Sequence, residues 1–589
     1  MLEILKFKPS ISLFRWNSLK VELAKEVRSY EVAGKKIKIG GASLPELRQG
    51  ERLLRTTSSL CPECLWILPA IVFERDGKVW IRKTCPIHGE FEELYYGSYD
   101  MYVKAMKWYD EGKGASAYNT KLKAPCPFSC GLCPLHKTNT ILANIVATNR
   151  CDLSCWYCFF YAEKAGYVYE PTIEQIRSMV RNLRRQGITM SIQLTGGEPL
   201  LRDDIVDVVK ALKEEGVTHV QLNTHGIRFS QEEGLELAME LRRAGVNTVY
   251  LSFDGVTPEA NPKNHWEVPY ILEVFKEAGM TSTVLVPTVI KGYNDHEIGL
   301  IVKFGAMNTD LIRAVNFQPV SLTGRMPRAE REKYRITIPE VIEKLEEQTD
   351  GQIDKESWFP VPVSTIISDF IEALTGGRYV RMSAHPVCGM ATYVYVERKG
   401  KHLKDLKLTP ITRFVDIEGF LEYLKEKTEE LRRGSLKPIV AFKLLFNIRK
   451  FIDKEHQPKD FKLSRLIYKV LVRHDYRTLG EFHYKFLFIG MMHFMDLYNY
   501  DIQRVLRCCI HYLVPDGRII PFCAFNVIPE VYRDYIQKEY GIPIEEWAKM
   551  KGRHTVGEAV KYRRDIKKLS SGDVYRRYYD EFLKEARSL

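Results

Sequence analysis

Cys151-Asp-Leu-Ser-Cys155-Trp-Tyr-Cys158 carries three thiols at a three-then-two spacing, directly after the apolar stretch Ile141-Leu-Ala-Asn-Ile-Val-Ala147. A strand that ends in such a loop presents its thiolates together. Three thiolates so spaced can ligate three irons of a four-iron cube and leave the fourth iron open to an exogenous ligand. A zinc knuckle short of its fourth ligand is the plain alternative. Further on, Thr195-Gly-Gly-Glu-Pro199 closes a second apolar stretch.

From residue 141 apolar stretches and helical patterns alternate. Strands are expected at 141–147, 189–194, 218–223, 247–253, 281–288 and 312–319, with helices such as Thr172–Gln186 and Glu232–Ala244 between them. Six such units argue for a parallel α/β fold, either a partial (β/α)6 TIM barrel or a doubly wound open sheet, and their spacing alone does not choose between the two.

The flanks sort by their cysteines. Residues 1–55 are a basic segment, and 56–100 hold Cys61-Pro-Glu-Cys64 and Cys85-Pro-Ile-His88. These pairs bracket Asp76-Gly77, a hairpin signal between β-branched runs. Cys61, Cys64, Cys85 and His88 suit a tetrahedral ion in a knuckle module, with zinc the default and a rubredoxin-like iron the competitor. Residues 101–138 bring Cys126, Cys130 and Cys133; 139–330 form the core barrel; 331–589 are helix-rich and carry Cys388, Cys508, Cys509 and Cys523. Pro515-Asp-Gly517 marks a turn between short strands in this last region.

Thirteen cysteines clustered in a 589-residue chain read as metal ligands rather than disulfides. Removing three for the core loop and three for the knuckle leaves seven. Two further four-iron clusters need eight ligands, so one or two auxiliary [4Fe–4S] clusters are expected, with His136 a candidate eighth ligand. The formal net charge of +12 favours an anionic partner. No apolar run reaches the roughly 18 residues of a membrane span. Two basic amphipathic stretches, 438–450 and 461–473, fit either a lipid interface or helices packed on the barrel. The expectation is a cytoplasmic protein, peripheral on the inner membrane face, with no nucleic-acid partner.

The core loop followed by the glycine-glutamate-proline turn resembles the radical S-adenosylmethionine (SAM) superfamily. The resemblance implies that Cys151, Cys155 and Cys158 hold the catalytic [4Fe–4S] cluster and that SAM chelates its open iron. It places Tyr157 near the adenine, Gly196 and Gly197 beside the methionine end, and Glu198 at the amino group. Asn223, Thr224, Ser252 and Asp254 end later strands and face the barrel mouth, where such sites gather; each could equally be a strand-terminating cap.

The full layout is Cys-Pro-x-Cys, Cys-Pro-x-His-Gly, Cys-Pro-x-x-Cys-Gly-x-Cys-Pro, the core loop, and His385-Pro-Val-Cys388 followed by Tyr393-Val-Tyr395. It resembles the archaeal tetraether lipid synthase group over about residues 50–400, a group related to dihydropterin methyltransferases with the same cysteine layout. That resemblance implies carbon–carbon bond formation between terminal methyl carbons of archaeal diether phospholipids. 5′-Deoxyadenosyl radicals would abstract hydrogen, an auxiliary cluster sulfur would hold the first alkyl intermediate, and a donor such as ferredoxin would supply electrons. The alternative is a radical SAM methyltransferase acting on a dihydropterin. A non-enzymatic iron–sulfur scaffold is disfavoured by the SAM-binding turn. A long apolar groove at the barrel mouth would favour lipid; a short pocket of converging polar groups would favour pterin.

Overall fold

The computed structural model describes residues 26–588 other than 159, 161, 188–189, 325, 327, 401, 462–481 and 483. The N-terminal module is a small sheet of β1 (Arg28–Val32), β2 (Lys35–Ile39), β3 (Arg52–Leu60), β4 (Ile67–Arg75), β5 (Lys78–Cys85) and β6 (Gly89–Tyr96). Between β4 and β5 only Asp76 and Gly77 are unpaired, with φ of 53° and 71°. Two left-handed residues give a turn whose twist matches the flanking strands, which is why this dipeptide closes the hairpin.

The barrel strands are β7 (Leu142–Thr148), β8 (Ser191–Gly196), β9 (His219–Thr224), β10 (Val246–Ser252), β11 (Thr283–Val286) and β12 (Ile312–Pro319). They are parallel and lie in sequence order from β7 to β12. Helices Ile173–Arg184, Ile205–Glu214, Gly234–Ala244, Val268–Glu277 and Ile298–Met307 connect them. The first begins at a capping box. Thr172 Oγ1 accepts from the Gln175 backbone N–H at 3.2 Å, and Gln175 Oε1 accepts from the Thr172 N–H at 2.8 Å. It then buries Ile176, Met179, Val180 and Leu183, one face of a 3.6-residue period.

The helix-rich C-terminal half also extends the sheet at both edges. β13 (Gly389–Arg398) and β14 (Phe486–Met492) continue it beyond β12, with β14 parallel to β12 and β13 antiparallel to β14. β15 (Ile510–Leu513) pairs parallel with β7, and β16 (Ile519–Pro521) returns antiparallel after the Pro515–Gly517 turn. Among the described residues the two ends of the sheet do not pair, so the barrel is an arc, held on one side by the extended sheet of a late segment. The C-terminal helix Asp573–Ala586 packs outside it, with Tyr579 stacked on His265 at a centroid distance of 4.4 Å.

The first amphipathic stretch is the helix Lys437–Asn447. Val440 and Leu444 are buried against Phe370 and Leu424, while Phe442 and Phe446 are exposed. It is a helix packed on its neighbours. The second stretch lies outside the described residues from position 462. No described helix is long and apolar enough to cross a membrane.

Candidate active site

β7 ends at Thr148, and the chain turns through Asn149 and Arg150 into the cysteine loop. Arg150 is buried; its guanidinium donates to Glu170 Oε1 at 2.7 Å and to the Leu201 carbonyl at 2.8 Å. The glycine turn is stapled onto this point: the Gly197 N–H donates to Thr148 O at 2.8 Å and the Glu198 N–H to Arg150 O at 2.7 Å. Gly196 has φ +137°, and a Cβ on either glycine would overlap the carbonyl of Thr148 or Arg150. Packing of the turn against the cysteine loop is reason enough for both glycines.

Glu198 is buried and fully engaged. Oε1 accepts from Thr224 Oγ1 at 2.6 Å and the Leu200 N–H at 3.0 Å; Oε2 accepts from the His225 N–H at 3.0 Å. The His225 ring, absent from the sequence reading, lies between Asp152 Oδ1 at 2.7 Å and Glu198 Oε2 at 3.1 Å. Burial alone would lower the imidazole, but Glu198 and Asp152 raise it well above its ordinary value. The two acidic side chains thus favour the charged form of this ring, which lies beside Cys151.

A second polar trio faces the opposite side of the loop. Tyr157 O–H donates to Asp254 Oδ2 at 2.5 Å, Lys263 Nζ meets the same oxygen at 3.0 Å, and Asp254 Oδ1 accepts the Thr288 N–H at 2.8 Å. Lys263 Nζ also sits 4.9 Å from the Tyr157 ring centroid. Asp254 thus braces Tyr157 and Lys263, while Ser252, Asn223 and Thr224 line the cavity. Lys263, like His225, was not anticipated.

The cavity opens between the cysteine loop and the strand ends. Five polar side chains of the strands line it among apolar neighbours: Asn144, Gln193, Tyr250, Asn316 and Gln318, from β7, β8, β10 and β12. Gln193 Nε2 donates to Asn144 Oδ1 at 3.0 Å, and Gln193 Oε1 is buried without a partner. The far wall is supplied by Met492, Phe494, Ile510, Tyr512 and Phe522 of the C-terminal half. Sequence could not place these five, because they reach the mouth only through the added strands.

The ribbon donors come together. Cys61, Cys64, Cys85 and His88 offer ligand atoms all within 4.8 Å of one another, as a single tetrahedral ion requires. Burial pushes the Cys61 thiol up to about 12, so proton release there depends on a bound cation. The remaining seven cysteines fall into two groups. Cys130 and Cys133 bear electrostatically on Cys126, and Cys130 on the buried Cys133. Cys388, Cys508, Cys509 and Cys523 form the other: Cys508 feels Cys523 and Cys509, while Cys509 and Cys523 both feel Cys388. Burial pushes Cys523 up to about 11 and Cys509 up to about 12. Arg504 Nε donates to Cys388 Sγ at 3.2 Å. His136 is buried with Nε2 2.8 Å from the Cys508 carbonyl and 3.1 Å from His511 Nε2.

A loop of three thiols at the top of a parallel arc, over a cavity, defines the class: residues 145–305 match the Radical SAM superfamily, and residues 53–97 match the HMPTM N-terminal zinc ribbon domain. The protein is a radical SAM enzyme with SAM and a [4Fe–4S] cluster as cofactors, and its ribbon and further cysteine groups allow a mononuclear metal and auxiliary clusters. A 7,8-dihydro-6-hydroxymethylpterin dimethyltransferase of Methanocaldococcus jannaschii is 44% identical over 512 residues, spanning 85% of this chain and 98% of that protein. The chain belongs to the family of that protein. A GTP 3′,8-cyclase of Erythrobacter litoralis is 43% identical over 67 residues, 11% of this chain and 19% of that one. Among solved structures, the FeFe-hydrogenase maturase HydG from Carboxydothermus hydrogenoformans is 16% identical with a TM-score of 0.29, covering 36% of this chain and 52% of that one.

These findings correct the lipid-coupling expectation. The near full-length relative is named for a pterin, not for an archaeal phospholipid, and neither the phospholipid nor the membrane partner is retained.

Proposed function

We propose that the chain is a radical SAM methyltransferase that acts on a dihydropterin. The observation that carries this reading is the cavity-lining set of Asn144, Gln193, Tyr250, Asn316 and Gln318 under the cysteine loop, in a chain 44% identical to a protein named for such a substrate. A pterin edge alternates hydrogen-bond donors and acceptors. Side-chain amides offer both, and the partnerless Gln193 Oε1 is an acceptor for a ring or exocyclic N–H. Unmet buried amides reject molecules that cannot pair with them.

Cys151, Cys155 and Cys158 would hold the catalytic cluster, with the His225 ring close to Cys151. When bound, the cluster and SAM supply a carbon-centred radical able to abstract hydrogen. Gly196, Gly197, Asn223, Thr224 and Ser252 line the SAM side. Asp254 orients Tyr157 toward the adenine, and Glu198 acts through Thr224 and His225. Met492, Phe494 and Phe522 exclude water from the reacting centre. In this reading Cys126, Cys130 and Cys133 hold one auxiliary cluster; Cys388, Cys508, Cys509 and Cys523 hold another; the ribbon tetrad holds one zinc or iron ion. The divisions at 100 and 138 then separate functional segments, whereas 55 falls inside β3 of the ribbon sheet and strands beyond 330 extend the barrel sheet.

The test is anaerobic incubation of the reconstituted protein with SAM, reductant and 7,8-dihydro-6-hydroxymethylpterin. Mass spectrometry should show 5′-deoxyadenosine together with a methylated pterin, and methyl-deuterated SAM identifies the methyl source. Accumulation of 5′-deoxyadenosine without any methylated pterin would reject the proposal.

A further inference from the structure

Two tyrosine hydroxyls stand beside the Cys126 group, and only one has its partners. Tyr532 O–H donates to Pro127 O at 2.5 Å and accepts the Cys130 N–H at 3.0 Å. Tyr500 is 0% exposed, and its hydroxyl has no hydrogen-bond partner. It belongs to the same apolar cluster as Cys130 and Cys523, with Cys126 packed against that cluster. An orphaned buried hydroxyl costs about 1–3 kcal/mol.

The backbone that carries Tyr500 is clamped by the ribbon module. Ser59 Oγ donates to the Tyr500 carbonyl at 2.5 Å, and Lys83 Nζ to the Leu497 carbonyl at 2.6 Å. The next residue, Asp501, accepts from Thr57 Oγ1 at 2.6 Å and Tyr95 O–H at 2.7 Å, and pairs with Arg55. A phenol held this firmly among thiols with nothing to bond is a donor awaiting a sulfur acceptor.

We propose that Tyr500 donates its hydroxyl hydrogen to a thiolate or sulfide of the iron–sulfur cluster held by Cys126, Cys130 and Cys133, on the side facing Cys523. The inference rests on the reading that those three cysteines hold a cluster. A hydrogen bond to cluster sulfur withdraws charge and raises the reduction potential. Tyr500 is therefore a positioning and tuning residue for that cluster.

The test uses the reconstituted full-length protein with Tyr500→Phe. A redox titration followed by electron paramagnetic resonance should show one auxiliary signal moved to a more negative midpoint, the SAM-cleaving cluster unmoved, and iron and sulfide per chain unchanged. Pulsed ENDOR in D2O should show an exchangeable hydrogen coupled to that signal in the parent and absent in the variant. An unmoved midpoint with the coupling retained overturns the proposal; so does loss of iron, which would make Tyr500 a ligand. If Tyr500→Phe does not fold, Ser59→Ala serves, with a smaller shift in the same direction expected and no shift overturning. Cys130→Ala tests the underlying reading separately, since unchanged iron there removes the cluster rather than the role of Tyr500.

Discussion

The ribbon tetrad and the core triad use the same thiol chemistry in opposite ways. In the ribbon, four donors converge within 4.8 Å, and Cys61 and Cys85 are buried. In the core loop, Cys151, Cys155 and Cys158 are half-buried and do not all come within that distance of one another; Cys151 instead lies close to Asp152 and His225. A closed set fits one ion and adds rigidity. A splayed set of three fits a larger cluster and leaves a face for a cofactor. The contrast is between a metal that holds structure and one that does chemistry.

The sharpest way to break the comparison is Cys155→Ala. It should abolish 5′-deoxyadenosine formation while leaving the ribbon metal bound, checked by product analysis alongside metal content. Cys61→Ser should do the reverse. The ribbon metal is lost and the melting temperature falls, yet the iron–sulfur absorbance survives in protein that stays folded. Next in size is Gly197→Ala, which forces a Cβ into the Arg150 carbonyl; a destabilisation of about 1–3 kcal/mol by denaturant titration is expected from such overpacking. Gln193→Leu should raise KM for the pterin about tenfold at unchanged SAM affinity, the scale of one lost hydrogen bond.

The smallest effect lies in the ribbon. The Arg82 hydrogen bond lowers the Glu51 carboxyl from 4.5 to about 2. Because the folded pKa is depressed, this stabilisation is present above 4.5 and is lost as pH falls toward 2. Glu51→Gln should lower the melting temperature at pH 7 and make no difference near pH 2.

Much of the arc was legible because each strand is apolar and bounded by turn or cap residues. The expected 141–147, 218–223 and 312–319 fall on Leu142–Thr148, His219–Thr224 and Ile312–Pro319, and Asp76-Gly77 and Pro515–Gly517 turn where expected. Position 189 lies outside the described residues, and 281–288 is interrupted at Pro287, between Thr283–Val286 and Thr288–Val289. The strands Gly389–Arg398 and Phe486–Met492 were not anticipated, since nothing local distinguishes a strand that completes a distant sheet edge from one in its own domain. His225 had a weak signal, directly following Asn223-Thr224 at a strand end. Lys263 had none, because its link to Tyr157 and Asp254 exists only after the loop folds back.

The pairing of β15 with β7 has a mechanical consequence. The Ile141 N–H donates to the Cys509 carbonyl at 2.8 Å, and the same two strands run on in register from Leu142 opposite Ile510. Cys508 and Cys509 therefore hang from the strand adjoining the one that feeds Cys151. The gap between those thiols is gauged by a ladder of main-chain amides, much as the pitch of a rail is set by its sleepers. A register slip of the late segment would displace one set of thiols bodily from the other, so any electron passing between them travels a span written into the sheet.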